Sequence, residues 1–468
     1  MTSTIMTSTI SSEAVPVCHF VKGEVLFADE QEYGSGPVRF VTPKLDLDAL
    51  VWSRREPGPA FDVPVAEIMD VLVATGQWLT ADPHGLVAEA LGHAIRSNPL
   101  PKVLLERAYA GLGAMFDRAN MEFQLSQELG GADIVDGWRV VTTSRGRQAR
   151  IRAFPSRLVH IIAGNAPGVA ANSIIRGALI KSLNLLKLPS NDLHSATTIL
   201  RAMAAVAPGH PLTRSFSAVY WRGGDERVEA TLFRPQFFDK LVAWGGESTL
   251  RSAKTYIGPG FELVAFDPKT SISLIGKEAF ASEAAIEDVA DRGAADVALM
   301  DQQGCASSRF QFIEGEPEQI DRYCALLQQR LGVERRTASG SGTPVPTHLR
   351  DEVDGLRQME PYYRIWGGYE GRGLVIRSED PVEFHPDFKI VNVVPVAALE
   401  EAVKFVTVAT QTVGVFPPER KVELRNALAA AGAQRLVSLG ATMGVESGLP
   451  HDGFNPLQRM VRWICDED

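Results

Sequence analysis

The chain has 468 residues, 45% of them hydrophobic and 22% charged, proportions that suit two or three folded domains and exclude a mainly disordered protein. With 47 Lys and Arg against 57 Asp and Glu the net charge is −10, and no long basic run offsets it, so general binding to nucleic acid or to an anionic membrane is not expected. Four cysteines, at 18, 305, 324 and 465, form no metal-ligand pair or disulfide scaffold, and nine histidines show no metal-ligand spacing; no metal is expected, and a reducing, cytoplasmic setting is.

The Thr- and Ser-rich residues 1–11 lack the basic start and apolar core of a secretory signal, and no segment reaches membrane-spanning apolar length. Residues 13–60 alternate short apolar runs, 15–21 and 38–41, with Gly, Pro and acidic residues, a pattern of strands and turns. From Val65 the apolar residues recur at three- and four-residue steps. Helices are expected over 65–79 and 84–95, and a long one over 102–129. Gly111 and Gly113 would weaken that helix or admit another backbone close to it. Its Met and Phe content is explained better by core packing than by an acyl groove.

An α/β rhythm follows. Residues 157–163 form an apolar run suited to a strand buried on both faces, leading through a turn at 164–168 into a helix over 169–180. A second strand over 183–188 ends at Pro189-Ser190 and precedes a helix over 195–206. A third strand over 216–221 is followed by a helix over 235–244 and the turn Gly245-Gly246. Three such units imply a parallel sheet with right-handed crossovers, whose ligands sit beyond the carboxyl ends of the strands. Asn165, Lys187 and Ser190 fall there, and Gly245-Gly246 can close over the same crevice. The G-x-G-x-x-G fingerprint is absent, so an ordinary tight turn and a surface lysine stay open beside the cofactor-site reading.

Further on, a strand over 271–275, a helix over 281–292 and a buried strand over 296–300 are expected, the last running into Asp301-Gln302-Gln303-Gly304-Cys305. A cysteine exposed at a turn where a helix begins meets backbone N–H groups that favour thiolate. Such a sulfur can attack a thioester or aldehyde carbonyl, whose oxyanion then needs donors nearby. A buried, inert cysteine is the alternative, and it is the reading for Cys324 within an amphipathic helix over 319–331. No His lies close to Cys305 in sequence. His451, beside Asp452 in a Gly/Pro-bounded loop, can act as acid or base, with an ordinary loop histidine as the preferred reading.

In this order, Ala163-Gly164-Asn165-Ala166-Pro167, Lys187 with Pro189-Ser190, Gly245-Gly246 and Gln303-Gly304-Cys305 resemble the aldehyde dehydrogenase superfamily. Within it, residues 219–225 (VYWRGGD), 388–396 (FKIVNVVPV) and 448–453 (GLPHDG) resemble the LuxC-like acyl-CoA and acyl-protein reductases related to the bioluminescence fatty-acid reductase. The likeness implies an α/β fold with a Rossmann-type parallel cofactor sheet and a second α/β catalytic domain. Residues 1–245 would hold the N-terminal region and the nucleotide-binding domain, 246–430 the catalytic domain, and 431–468 a segment returning toward the cofactor domain or a subunit interface. It implies that Cys305 is acylated during reaction and that Asn165 holds the oxyanion. It also implies a cofactor site at Ala163, Gly164, Lys187, Pro189, Ser190, Gly245 and Gly246, with Lys187 on the ribose.

One departure bears on the reaction. Superfamily members that oxidise aldehydes to acids commonly carry a glutamate in a Glu-Leu-Gly-Gly-Lys segment. The nearest match here is Ser273-Leu274-Ile275-Gly276-Lys277, with serine at the acidic position and Glu262 or Glu278 as substitutes from elsewhere. Weaker support for water attack shifts the expectation to NADPH-dependent reduction of an acyl thioester, on CoA or acyl carrier protein, to an aldehyde through a Cys305 thioester. The alternatives are NAD(P)-dependent oxidation of an aldehyde to an acid, and a non-catalytic partner protein with the same fold. NADPH is preferred to NADH because Ser190-Asn191 lack a carboxylate that would repel a 2′-phosphate, with Asp192 either turned away or opposing. The resemblance further implies a homo-oligomer.

Overall fold

The computed structural model describes residues 14–34 and 39–467, so residues 1–11 and Val38, read above, lie outside the described residues. Among the described residues the chain builds two seven-stranded sheets and two three-stranded ones. In the first large sheet the order is Glu262–Phe266, Lys240–Trp244, Arg157–Ile161, Leu183–Lys187, Phe216–Val219, His19–Val21 and Glu24–Leu26. The first five strands run parallel and the last two add antiparallel.

Every residue of Arg157–Ile161 is buried, because successive side chains enter different cores on opposite faces. Leu158 packs with the helices Pro167–Leu179 and Ser195–Val206, and Val159 and Ile161 pack with Glu226–Leu232 and Glu247–Lys254. The parallel sheet with helices on both faces is thus as expected, but one of its elements is not. Residues 235–244 do not form a helix: Lys240–Trp244 is a parallel strand inside the sheet, and the third helix comes earlier, at Glu226–Leu232. Gly245-Gly246 therefore follows the carboxyl end of a strand.

The expected long helix over 102–129 breaks into Lys102–Ala110, a 3-10 turn Gly113–Phe116 and Arg118–Leu129. The break has a packing cause. A Cβ on Gly113 would lie 2.4 Å from the Gly76 carbonyl oxygen and 2.2 Å from Thr80 Oγ1, so the helix Val65–Ala81 passes against bare backbone. Asp117 then starts the next helix, its side chain accepting from the Asn120 N–H at 2.9 Å.

The second large sheet orders Tyr363–Gly367, Leu374–Ser378, Ile390–Pro395, Ser308–Ile313, Thr270–Ile275, Thr410–Phe416 and Arg435–Ser438, parallel except for the first pair. The chain changes sheets between Phe266 and Thr270, later than the 245/246 boundary, because Glu262–Phe266 pairs with Lys240–Trp244. The strand Arg435–Ser438 still belongs to the second sheet, beyond residue 430. Finally Arg462–Glu467 returns to pair with Gln148–Phe154, whose other edge carries Arg139–Thr142. Among the described residues no helix is long and apolar enough to cross a membrane.

Candidate active site

Beyond the carboxyl ends of Arg157–Ile161, Leu183–Lys187 and Lys240–Trp244 lies a cavity of about 900 Å³, lined on its far side by the turn carrying Cys305. All nine residues singled out from the sequence line it: Ala163, Gly164, Asn165, Lys187, Pro189, Ser190, Gly245, Gly246 and Cys305.

The cysteine turn is built differently from the expected strand-to-helix junction. Residues 296–300 are not a strand: the helix Glu283–Val297 runs through Asp296 and passes into a 3-10 turn, Leu299–Gln302. Met300, Asp301 and Gln302 then take φ of 51°, 48° and 68°. Three consecutive side-chain-bearing residues in the left-handed region cost roughly 1–2 kcal/mol each, so the surroundings must hold them. Asp301 accepts from the Ser339 N–H at 2.9 Å and pairs with Lys389 Nζ at 3.2 Å. Gln302 Nε2 donates to the Ile390 carbonyl and Arg309 Nη2 to the Gln302 carbonyl, each at 2.8 Å. Ser271 Oγ donates to the Cys305 carbonyl at 2.8 Å. The side chain of Cys305 is left exposed to the cavity, and a strand, Ser308–Ile313, follows it.

Desolvation by the surrounding walls pushes the Cys305 thiol above its ordinary range. A hydrogen bond from Gln411 Nε2 to Sγ at 3.2 Å opposes this, the Asp452 carboxylate adds to it, and the N–H groups of Cys305 and Ala306 oppose it more weakly. The backbone bias toward thiolate is present but outweighed. Asn165 reaches the same turn: its Nδ2 donates to the Gln303 carbonyl at 3.3 Å, and its Oδ1 is buried without a partner.

On the opposite side, Lys187 Nζ lies 5.8 and 5.6 Å over the rings of Tyr220 and Trp221, and among the described residues no acceptor takes a hydrogen bond from it. Burial lowers its pKa, and the Glu229 carboxylate opposes that. Glu229 is itself engaged by Trp221 Nε1 and the Gly224 N–H, both at 3.1 Å. A Cβ on Gly164 would lie 2.0 Å from Asn191 Oδ1, so the loop after Lys187 closes over a bare backbone. Asp192 turns away from the cavity: Oδ1 accepts from the Ser195 N–H at 3.2 Å and from Ser195 Oγ at 2.6 Å. Gly246 precedes the helix Glu247–Lys254, with open space where a Cβ would stand. An ammonium without a hydrogen-bond acceptor, an exposed Ser190 and free helix N–H groups offer donors that suit an anionic dinucleotide.

Other residues complete the walls. Ser273 does not face the cavity; it is buried in the second sheet, its Oγ donating to Ser308 Oγ at 2.8 Å. Glu262 and Glu278 pair with Lys240 and Arg420 away from the site. The cavity carboxylates are Glu229, Asp267 and Asp452. His451 also lines the cavity instead of sitting in an ordinary loop, its ring 5.1 Å from Phe266 and 5.6 Å from Trp244. Burial, with the charges of Arg176 and Arg435, drops its pKa to about 3, so it is neutral. Gln411 was missed by sequence reasoning altogether, and Asp452 entered only as a neighbour of His451. Among the described residues no cluster of His, Cys, Asp and Glu is arranged to hold a metal.

This architecture is that of the aldehyde dehydrogenases. The chain is similar to a NAD-dependent benzaldehyde dehydrogenase from Corynebacterium glutamicum, with a TM-score of 0.71 and 12% identity over 98% of this chain and 100% of that one. It is similar also to the Delta-pyrroline-5-carboxylate dehydrogenase from Mycobacterium tuberculosis, with a TM-score of 0.69 and 15% identity over 97% and 90%. Residues 61–463 match the acyl-CoA reductase (LuxC) family. Long-chain acyl-protein thioester reductases of Photorhabdus laumondii subsp. laumondii and Vibrio harveyi are 30% and 28% identical over 348 and 352 residues, which is 73% of this chain and 69% and 70% of theirs. The chain belongs to the LuxC acyl-CoA reductase family, and is an oxidoreductase that acts on an acyl thioester with NAD(P).

Proposed function

We propose that this chain reduces an acyl thioester, carried on CoA or on a protein, to the aldehyde, with NADPH preferred, through a covalent thioester on Cys305. The observation that carries this reading is the convergence of an exposed Cys305 sulfur, the Asn165 amide and the unengaged Lys187 ammonium on one cavity. The Cys305 sulfur attacks the acyl carbon, the carbon–sulfur bond to the incoming carrier breaks, and the proton lost by Cys305 leaves with the carrier thiol. The Cys305 N–H lies beside the sulfur and the Asn165 amide reaches the same turn at Gln303, on the side where an oxyanion needs donors. Lys187, Ser190 and the helix start at Gly246 would hold the nicotinamide cofactor, which supplies hydride when bound. As aldehyde departs, the bond to Cys305 breaks and the sulfur takes up a new proton from solvent.

Reduction is favoured over hydrolysis by the state of the cavity carboxylates. Glu229 is held by Trp221 and Gly224, Asp452 by Gln411, and Asp267 lies 3.9 Å from Lys269. None stands free beside the sulfur to activate water. A preference for NADPH is supported by Asp192, which is buried against Ser195 and presents no charge to a 2′-phosphate at Ser190. The test incubates the protein with acyl-CoAs and NADPH or NADH while aldehyde and acid are measured separately. Aldehyde as the product, formed faster with NADPH, is expected; acid as the main product would overturn the reading.

A further inference from the structure

We propose that Asp452 is a positioning residue that fixes the Gln411 amide with an N–H on the Cys305 sulfur, so that Gln411 tunes the nucleophile. This rests on the reading of Cys305 as the reacting atom. Gln411 Nε2 has two hydrogens, and both are used: one on Cys305 Sγ at 3.2 Å and one on Asp452 Oδ1 at 2.7 Å. Turning the amide over would set its carbonyl oxygen against a carboxylate, which can only accept, and would leave no amide donor facing the sulfur. An ionised Asp452 can only accept, so it selects the orientation in which a donor faces sulfur. That donor favours the thiolate over the thiol.

The local backbone is shaped to deliver the contact. Thr270 pairs with Thr410 but Ile272 pairs with Val413, so the strand Thr410–Phe416 carries one extra residue at Gln411-Thr412. On the other side, Ser271 pairs with Ser308 but Ile272 with Phe310, which leaves an extra residue at Arg309. Bulges of this kind re-aim a side chain out of the regular alternation. Both flank Ser271, the residue that holds the Cys305 carbonyl and accepts from the Thr412 N–H at 3.2 Å. Asp452 itself sits at φ 52°, in a loop closed by hydrogen bonds between His451 and Phe454.

The charges around the pair set the sign of the test. Arg309 and Arg435 act on the Cys305 sulfur through their charge; burial raises the pKa of Asp452 and Asp267 adds to this, while the Gln411 hydrogen bond, Lys269 and Arg176 favour its ionised form, and His451 beside it is neutral. Asp452 also repels the thiolate directly. If charge were its whole effect, Asp452→Asn would make Cys305 more reactive. If it orients Gln411, the same change lets the amide turn over and makes Cys305 less reactive.

The experiment follows alkylation of Cys305 by iodoacetamide as a function of pH, located by peptide mass, in protein without acyl donor or cofactor. Wild type, Q411L, Q411M, D452N and Q411L/D452N are compared, with thermal melts to confirm folding. Asn takes left-handed φ readily, so D452N should not strain the loop; Q411M serves if Q411L does not fold. D452N and Q411L should each slow alkylation near neutral pH about five- to tenfold, the size of one lost hydrogen bond. In the Q411L background, D452N should slow it no further. D452N reacting as fast as or faster than wild type, or the two slowings multiplying, would overturn the proposal. Because no acyl donor is present, failure of acyl reduction leaves this result standing, and the reverse holds too.

Discussion

Lys389 Nζ lies 3.2 Å from Asp301 Oδ1, and the two side chains are 1% and 6% exposed. This buried pair ties the strand Ile390–Pro395 to the left-handed turn that presents Cys305, and Lys389 also donates to the Ser339 carbonyl at 2.6 Å. Breaking such a pair leaves an uncompensated buried charge, which costs about 3–5 kcal/mol. Asp301→Asn keeps a residue that tolerates φ of 48° but removes the anion. Its urea midpoint should fall accordingly, and the double variant D301N/K389M should recover part of the loss.

Cys305→Ser should abolish acyl transfer without unfolding the chain, since the side chain faces the cavity and its turn is held by Ser271, Gln302 and Asp301. Intact mass after exposure to acyl-CoA without reductant should show one added acyl group in wild type and none in C305S. Acylation mapped to Cys465 or another residue would contradict the assignment.

Removing the Lys187 ammonium should weaken cofactor binding by about 1.5–3 kcal/mol, the worth of a charge-assisted hydrogen bond. Calorimetry on K187A is the measurement. Acylation of Cys305 should be nearly unchanged, because Lys187 lies among Tyr220, Trp221 and Glu229 and not at the cysteine turn.

Stability should fall as the protein is acidified below about pH 6.5. Burial lowers His19 and His160 to about 4, and His194 and His451 to about 3, so each binds a proton more readily in the unfolded chain. The stability tied to each is present above the ordinary 6.5 and is lost as pH falls toward the folded value. Glu128, raised to about 7, Asp296, raised to about 6, and Asp192 and Asp452, also raised by burial, act the opposite way, but burial lowers His93 and His385 as well, and four carboxyls do not cancel six imidazoles. His160 is fully buried with Nε2 3.0 Å from Asn184 Oδ1. His160→Gln retains an amide donor for Asn184, and its denaturation free energy should depend on pH less steeply between about 4 and 6.5.

The parts of the site that carry sequence motifs were legible; those defined by packing were not. Asn165 and Cys305 each follow a Gly, Lys187 stands two residues before Pro189 near the end of an apolar run, and the chain order of those junctions identifies them. Lys240–Trp244 was misread because a strand buried on both faces has no two-residue alternation to separate it from a buried helix. Residues 296–300, an apolar run after an acidic residue, failed in the other sense: they close a helix whose last turn is buried. Gln411 gives no local signal, since it owes its place to a bulge set by pairing with a strand about 140 residues earlier.

With Leu457 and Met460 packed in the core of the first large sheet and Arg462–Glu467 paired with Gln148–Phe154, the whole second large sheet lies between two segments that return to one core. During synthesis, therefore, the thiol emerges well before the loop bearing His451 and Asp452 and before the strand Arg462–Glu467. The cavity beside Cys305 is complete only once the loop with His451 and Asp452 has joined it. The nascent chain carries Cys305 before Gln411 and Asp452 can meet it, and the sulfur acquires that setting only when the loop 451–454 docks.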